Sequence, residues 1–392
     1  MSEAIVIVAA KRTPMGGFQG ALSPLAATEL GAEAIKAAVA ESGLAAEQVT
    51  EVIMGNVLPA GLRQAPARQA TLHAGLPLSA GATTINKVCG SGLKAVMLGH
   101  DLLKVGSTDV VVAGGMESMS NAPYLLDKAR AGHRMGHGQV YDHMMLDGLE
   151  DAYEGKAMGT YAQATADQYK LSREAMDEFA LASLSRANQA IASGAFSAEI
   201  SPVTIATRKG DVTVATDEQP GKAMPEKIPS LRPAFAKDGT ITAANSSSIS
   251  DGAAALVLMR ESDAKAQGAT ILARIVGHAT HSRAPAEFTI APVGAMQSLL
   301  EKCQWQVADV DLWEINEAFA MVTMLAMQEM HIDHAKVNVN GGACALGHPI
   351  GASGARLLVT LVHALKQRGL KRGVTSLCIG GGEAVALAIE TV

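Results

Sequence analysis

Cys89 stands between an apolar run, Thr84-Ile85-Asn86-Lys87-Val88, and a glycine-flanked helix start, Gly90-Ser91-Gly92. A thiol attacks as its thiolate, and an ordinary cysteine, with a pKa of about 8.5, is mostly protonated at neutral pH. The partial positive charge and free amides of a helix N-terminus are expected to lower that value. The small neighbours also let a carbonyl approach the backbone. A solitary cysteine is more often a small core hydrophobe, but this setting favours a nucleophile. His348 lies in Gly347-His348-Pro349-Ile350-Gly351, within a stretch, 340–354, that holds five glycines. That loop suits a general base for Cys89 or a hydrogen-bond donor to an oxyanion. Cys378 closes the apolar run Ser376-Leu377-Cys378 just before Gly380-Gly381-Gly382. Alone it reads as core. Beside Cys89 it is a second acid/base, suited to removing an α-proton from a thioester and returning it, with the Gly380 N–H available to an oxyanion hole.

Residues so far apart meet only if several strand ends converge. Residues 4–8, 52–54 and 109–113 are apolar strand-like runs that alternate with long Ala-rich helical patterns, which argues for an α/β fold with buried strands. Residues 93–105 are apolar on more than one face, as befits a helix inside the protein. The second half of the chain repeats the first in outline. Glu51-Val52-Ile53-Met54-Gly55-Asn56 is echoed by Asp311-Leu312-Trp313-Glu314-Ile315-Asn316, and Gly90-Ser91-Gly92 by Ala352-Ser353-Gly354. The glycine runs match Val111-Val112-Ala113-Gly114-Gly115-Met116-Glu117 with Leu377-Cys378-Ile379-Gly380-Gly381-Gly382-Glu383. Two similar halves would place equivalent loop ends around one shared site. Residues 118–245 differ in composition and read as a long insertion with some helices, notably 174–192.

Composition narrows the classes. At 392 residues two or three domains are expected. The net charge of -6, with no basic block interleaved with aromatics, argues against a nucleic-acid partner. No apolar stretch approaches the roughly 20 residues of a membrane helix, and residues 4–10 read as a first strand rather than a signal peptide. Four cysteines in such a chain are expected to be reduced thiols, and the compartment is expected to be the cytoplasm.

Four blocks are similar to the signature blocks of thiolases: Asn86-Lys87-Val88-Cys89-Gly90-Ser91-Gly92, Asn316-Glu317-Ala318-Phe319, the 340–354 stretch around His348, and Leu377-Cys378-Ile379-Gly380-Gly381-Gly382. The resemblance runs from Arg12-Thr13-Pro14 to the last strand. It implies two duplicated α/β halves in a five-layered α-β-α-β-α core, divided as residues 1–118 with 249–271, an inserted loop domain 119–248, and 272–392. It also implies reversible Claisen condensation of two acetyl-CoA to acetoacetyl-CoA and CoA, in a homotetramer that needs no cofactor, CoA being substrate and product. Matched to the family's motifs, Cys89 is the acylated nucleophile and Cys378 the acid/base. His348 activates the nucleophile, Asn316 holds a catalytic water, and the amides of Cys89 and Gly380 form an oxyanion hole. Ser247, Phe235 and Phe319 contact the pantetheine arm, while Met158 and Phe288 lie near the acyl group.

The chain departs from the family at Ala157-Met158, at residues 288–292 and at Glu383-Ala384, and these departures bear on acyl-chain specificity. The short-chain substrate is still expected to be preferred over the range used by broad-range degradative thiolases. Cys378 argues against a decarboxylating ketosynthase, which would carry histidine there, and a cysteine hydrolase has no use for a second such cysteine. A non-catalytic thiolase-like protein that binds CoA or lipid would have no need of all four reactive positions. His133, His137 and His143 with Asp142 and Asp147 are set aside as a metal site, because glycines interrupt any helix there. Lys209, Lys222 and Lys227 are candidates, by charge, for the phosphates of CoA.

Overall fold

A computed structural model of the chain describes residues 3–392. Nine strands make the body of one mixed sheet. They are β1 (Ile5–Arg12), β2 (Glu51–Gly55), β3 (Gly81–Ile85), β4 (Val110–Ser118), β5 (Ser250–Arg260), β6 (Ala273–Ser282), β7 (Leu312–Ile315), β8 (Arg372–Ile379) and β9 (Glu383–Thr391). Their order is β7-β8-β9-β6-β1-β5-β4-β2-β3. Within the sheet the two halves pair at Ile5 to Ile7 against Ala273 to Ile275.

On each side of that seam the pattern is the same. The β2–β4 pair is parallel, then β4–β5 and β5–β1 are antiparallel; in the second half β7–β8 is parallel, then β8–β9 and β9–β6 are antiparallel. The outermost β3 is matched in the second half only by a single bridge between Trp313 and Val337. Register corrects one correspondence read from the glycine runs. Gly55 pairs with Gly115, and Ile315 with Ser376. With Asn56 matched to Asn316, Glu117 is the counterpart of Cys378, not of Glu383. The glycines of 114–115 lie inside β4, whereas those of 380–382 form the turn beyond β8.

Strand side chains alternate between helix layers, so the inner strands β1, β4, β5, β8 and β9 are apolar on both faces. Val111, Ala113, Leu256 and Leu258 from one half and Leu377, Val385 and Leu387 from the other close on a central layer. That layer is helix Ser91–Lys104 beside helix Ser353–Arg368. The opposite faces, through Val110, Val112 and Val257 or through Val374, Ala384 and Ala386, pack on outer helices Ala27–Ser42 and Ala291–Cys303. These five layers explain why residues 93–105 are apolar on more than one face.

Between β4 and β5 the chain forms a small hairpin (Tyr124–Leu125 with Tyr141–Asp142) and two helices, Met158–Gln168 and Arg173–Ser193. The second is capped by Ser172, whose Oγ accepts from the Ala175 amide at 3.1 Å, and stops at Gly194 with φ 75°. Fully buried Arg12, at the end of β1, ties this segment down. Its guanidinium donates to both oxygens of Asp217 at 2.6 and 2.9 Å and to Glu199 at 2.6 Å.

Candidate active site

The nucleophile sits on a sharp bend between β3 and its helix. Val88 takes φ 46°, a left-handed conformation that costs a β-branched residue about 1–3 kcal/mol. Ser91 holds the bend: its Oγ accepts from the Lys87 amide at 2.8 Å and donates to the Val88 carbonyl at 2.7 Å. A Cβ at Gly90 would meet Ile379 Cδ1 at 2.4 Å, so the Ile379 side chain would have to shift to admit one.

The Cys89 sulfur receives the amides of Gly380 and of Cys89 itself, yet burial pushes the thiol up to about 11, with the Glu117 carboxyl adding to the rise. The lowering expected from a helix N-terminus is thus overturned. Two amide dipoles do not replace the water a thiolate loses on burial.

His348 is buried, and its ring is oriented from both sides. Nδ1 lies 2.5 Å from Ser353 Oγ, and that hydroxyl donates its only proton to the Pro349 carbonyl at 2.9 Å. The hydroxyl therefore accepts from Nδ1–H, which leaves Nε2 as the free base. Asn316 Nδ2 approaches that nitrogen at 3.4 Å, while its buried Oδ1 has no protein partner. Burial, with Arg356 adding to it, pulls His348 down to about 3, so the imidazole is neutral. Cys378 is 1% exposed, and burial together with the neighbouring Cys89 raises its thiol far above the ordinary range.

A cavity of about 270 Å³ joins these groups. Cys89, His348, Cys378 and Gly380 line it with Ser247, Phe235, Phe319, Met158 and Phe288; Asn316 joins through His348. Phe235 and Phe319 meet edge to face at 6.1 Å, and Gly159 leaves room for the Phe235 ring, which a Cβ would overlap at 2.2 Å. Ser247 donates from both N and Oγ to the Ala318 carbonyl at 3.0 Å. A second groove, lined by Ser248, Lys222 and Lys227, opens on the far side of the same serine run, whereas Lys209 lies in the turn of a separate hairpin. His143 is held by Asp147 at 2.6 Å and by the Ala60 amide at 3.3 Å, and His133 packs against Gly138.

Ser353, Met145, Gly148, Leu149 and Ile350 also belong to the site or its support, and the sequence alone does not single them out. Ser353 reads there only as a helix opener. The signal that marks it is its spacing, five residues past His348 at the first position of the helix that follows. Met145, Gly148 and Leu149 come from the insertion, whose weak periodicity hides them.

The chain matches two family models, "Thiolase, N-terminal domain" over residues 5–262 and "Thiolase, C-terminal domain" over residues 269–391. It is 52% identical to an acetyl-CoA acetyltransferase of Thiocystis violacea, with 100% of both chains covered. It is also 52% identical to one of Escherichia coli K12, with 98% of each covered. Among solved structures, the acetyl-CoA acetyltransferase of Bacillus anthracis superposes with a TM-score of 0.97 at 43% identity, covering 100% of this chain and 99% of that one. A thiolase from Ascaris suum in complex with coenzyme A gives 0.94 at 42% identity, with 100% of both covered.

Proposed function

This chain belongs to the thiolase family and is an acetyltransferase acting on acetyl-CoA, and from that premise we propose how its residues divide the work. In the first half-reaction Cys89 attacks the thioester carbonyl of acetyl-CoA while His348 Nε2 takes the thiol proton. The oxyanion is met by the amides of Cys89 and Gly380. Cys378 is a thiol at rest, so it acts first as an acid. It protonates the departing CoA sulfur and is left as thiolate, with imidazolium at His348.

In the second half-reaction the Cys378 thiolate removes an α-proton from a second acetyl-CoA. His348 and Asn316, through a water held by its unpartnered Oδ1, support the enolate oxygen. The enolate carbon attacks the acetyl group on Cys89, the carbon-sulfur bond breaks, and His348 returns the proton to Cys89. Acetoacetyl-CoA leaves, and every group is back in its starting state; thiolysis is the same path reversed. No cofactor enters, CoA being substrate and product.

The observation that carries this reading is the convergence of two cysteines, a neutral imidazole with a free Nε2, and the Gly380 amide on one cavity. Incubation with acetyl-CoA is expected to place one acetyl group on Cys89, read by intact mass and peptide mapping. Label on another residue, or none with active enzyme, overturns it. Small walls at Ala157 and Gly148 favour a second reading, in which longer 3-oxoacyl chains are also cleaved, and a chain-length profile decides between them.

Assembly as a homotetramer in the cytoplasm belongs to the same proposal. The hairpin around residues 124–142 supports it by presenting Met135, Val140 and Leu126 at 97%, 63% and 48% exposure. Among the described residues no helix is long and apolar enough to cross a membrane.

A further inference from the structure

Glu117 is the next-to-last residue of β4, at the position equivalent to Cys378, and nothing in the chemistry above uses it. Its carboxylate is fully buried and takes four N–H donors. Oε2 accepts from the amides of Val57 and Gly351, each at 2.9 Å; Oε1 accepts from Asn56 Nδ2 at 2.7 Å and from the Leu58 amide at 3.2 Å. Gly351 lies between His348 and Ser353, on the turn whose shape orients the imidazole. Three glycines make the dock possible. A Cβ on Gly351 would meet Glu117 Oε2 at 2.5 Å, and one on Gly55 or Gly115 would meet the Gly351 carbonyl at 2.8 or 2.0 Å.

We propose that Glu117 is a positioning residue of the acyl-transfer centre: by gripping the Gly351 amide it docks the His348–Ser353 turn of the second half onto the first half and fixes the base against Cys89. The inference rests on the roles given to Cys89 and His348 above. Four donors converging on two oxygens call for a carboxylate, since a glutamine side chain has one acceptor oxygen only. Burying that charge is unfavourable, and burial lifts the carboxyl to about 7 against four hydrogen bonds that pull it down. An apolar side chain here would leave the amides of Val57, Leu58 and Gly351 buried without an acceptor, so the position calls for one that reaches all three. The grip also reaches across the boundary between the halves, where a small shift separates base from nucleophile.

Glu117→Gln keeps the volume. Asn56 Oδ1 is buried without a partner, so rotation of that amide lets it accept from the new Nε2. One acceptor is still lost, and the turn loosens. For this variant kcat of acetoacetyl-CoA thiolysis, and with it the single-turnover rate of Cys89 acetylation, is expected to fall about tenfold or more while KM stays within about twofold. Gly351→Ala pushes the same turn from the other side and is expected to show the same split. If Glu117→Gln does not fold, Glu117→Asp, whose shorter arm cannot hold both Val57 and Gly351, takes its place with the same expectation. Wild-type acetylation rates in these variants, or a rise in KM at constant kcat, overturn the proposal. Absence of acetylation at Cys89 in the wild type would instead sink the functional reading itself.

Discussion

Replacing His348 by asparagine separates two accounts of how Cys89 is activated. In one, the pair rests as thiolate and imidazolium, as the helix N-terminus alone would suggest. In the other, which the structure favours, both partners are neutral, because burial holds Cys89 up to about 11 and His348 down to about 3. At pH 7 a thiol with a pKa of about 11 is ionised to about one part in ten thousand. An ordinary cysteine near 8.5 is ionised to about one part in thirty. Iodoacetamide consumes the thiolate, so alkylation of Cys89 in the free enzyme should run a few hundredfold slower at neutral pH than for a free thiol, rising about tenfold per pH unit from 6 to 9.

The His348→Asn variant sharpens the contrast. Its introduced side-chain amide retains a donor for Ser353 but has no basic nitrogen. Alkylation by iodoacetamide should keep its slope, because no imidazolium charge is lost. Acetylation by acetyl-CoA should fall by about 10²–10⁴-fold, because the proton then has no acceptor as the carbon-sulfur bond forms. Peptide mapping of the alkylated cysteine against pH, beside rapid-quench acetylation, measures both. A flat alkylation profile between pH 6 and 8 in the wild type, lost in His348→Asn, would show a resting ion pair and refute the reasoning.

Cys378→Ala should still accept acetyl on Cys89 but lose condensation and thiolysis by about 10²-fold or more, since no group remains to move the α-proton; normal turnover would remove Cys378 from the mechanism. In a chain-length series acetoacetyl-CoA should have the highest kcat/KM, falling about tenfold or more by six carbons, because Met158, Phe288, Met145 and Leu149 wall the cavity; a flat profile to ten carbons would establish the broad-range reading. His348 also links stability to pH. Its folded pKa lies below the unfolded value of 6.5, so the unfolded chain binds a proton that the folded one refuses as pH drops from 6.5 towards about 3. From pH 7 to 5 the wild type should lose about 2 kcal/mol relative to His348→Asn in urea melts at each pH, and parallel curves would contradict this.

Sequence made the reactive residues legible because each stands beside glycines. At Gly347, with φ 99° and a Cβ position only 2.1 Å from Ser250 Oγ, the backbone admits no side chain, and that need writes itself into the chain. The helix at 173–193 was legible within a residue at each end, since Ser172 and Gly194 mark its limits. What stayed hidden depends on register. Glu117 looked like the partner of Glu383 because glycines align in sequence, while hydrogen-bond ladders align residues by their place on the strand. Electrostatics were misread for a related reason. A helix start is visible in sequence, but the burial that outweighs it comes from clusters that include Ile379 and Ile350, which lie hundreds of residues away in the chain. Nor can a sequence reveal that Ser353 spends its proton on Pro349, the one fact that fixes the tautomer of His348.

The duplicated halves finally explain why one chain carries one such centre rather than two. With Ser91 matched to Ser353 and Glu117 to Cys378, Gly351 occupies the place of Cys89. Both cradles hold an asparagine after the second strand of the half, and both asparagines, Asn56 and Asn316, keep a buried oxygen without a protein partner. In the first cradle the longer Glu117 side chain reaches the Gly351 amide of the opposite turn while also accepting from Val57 and Leu58 of its own half, so the space is filled by the protein's own hydrogen bonds. In the second, Cys378 is too short to do so, and the cavity between it and Cys89 stays open to a thioester. Duplication supplied two equivalent junctions; a carboxylate closes one and braces it, and the rigidity so gained sits directly behind the loop that carries His348. Structural and chemical roles are thus divided between positions the fold made alike.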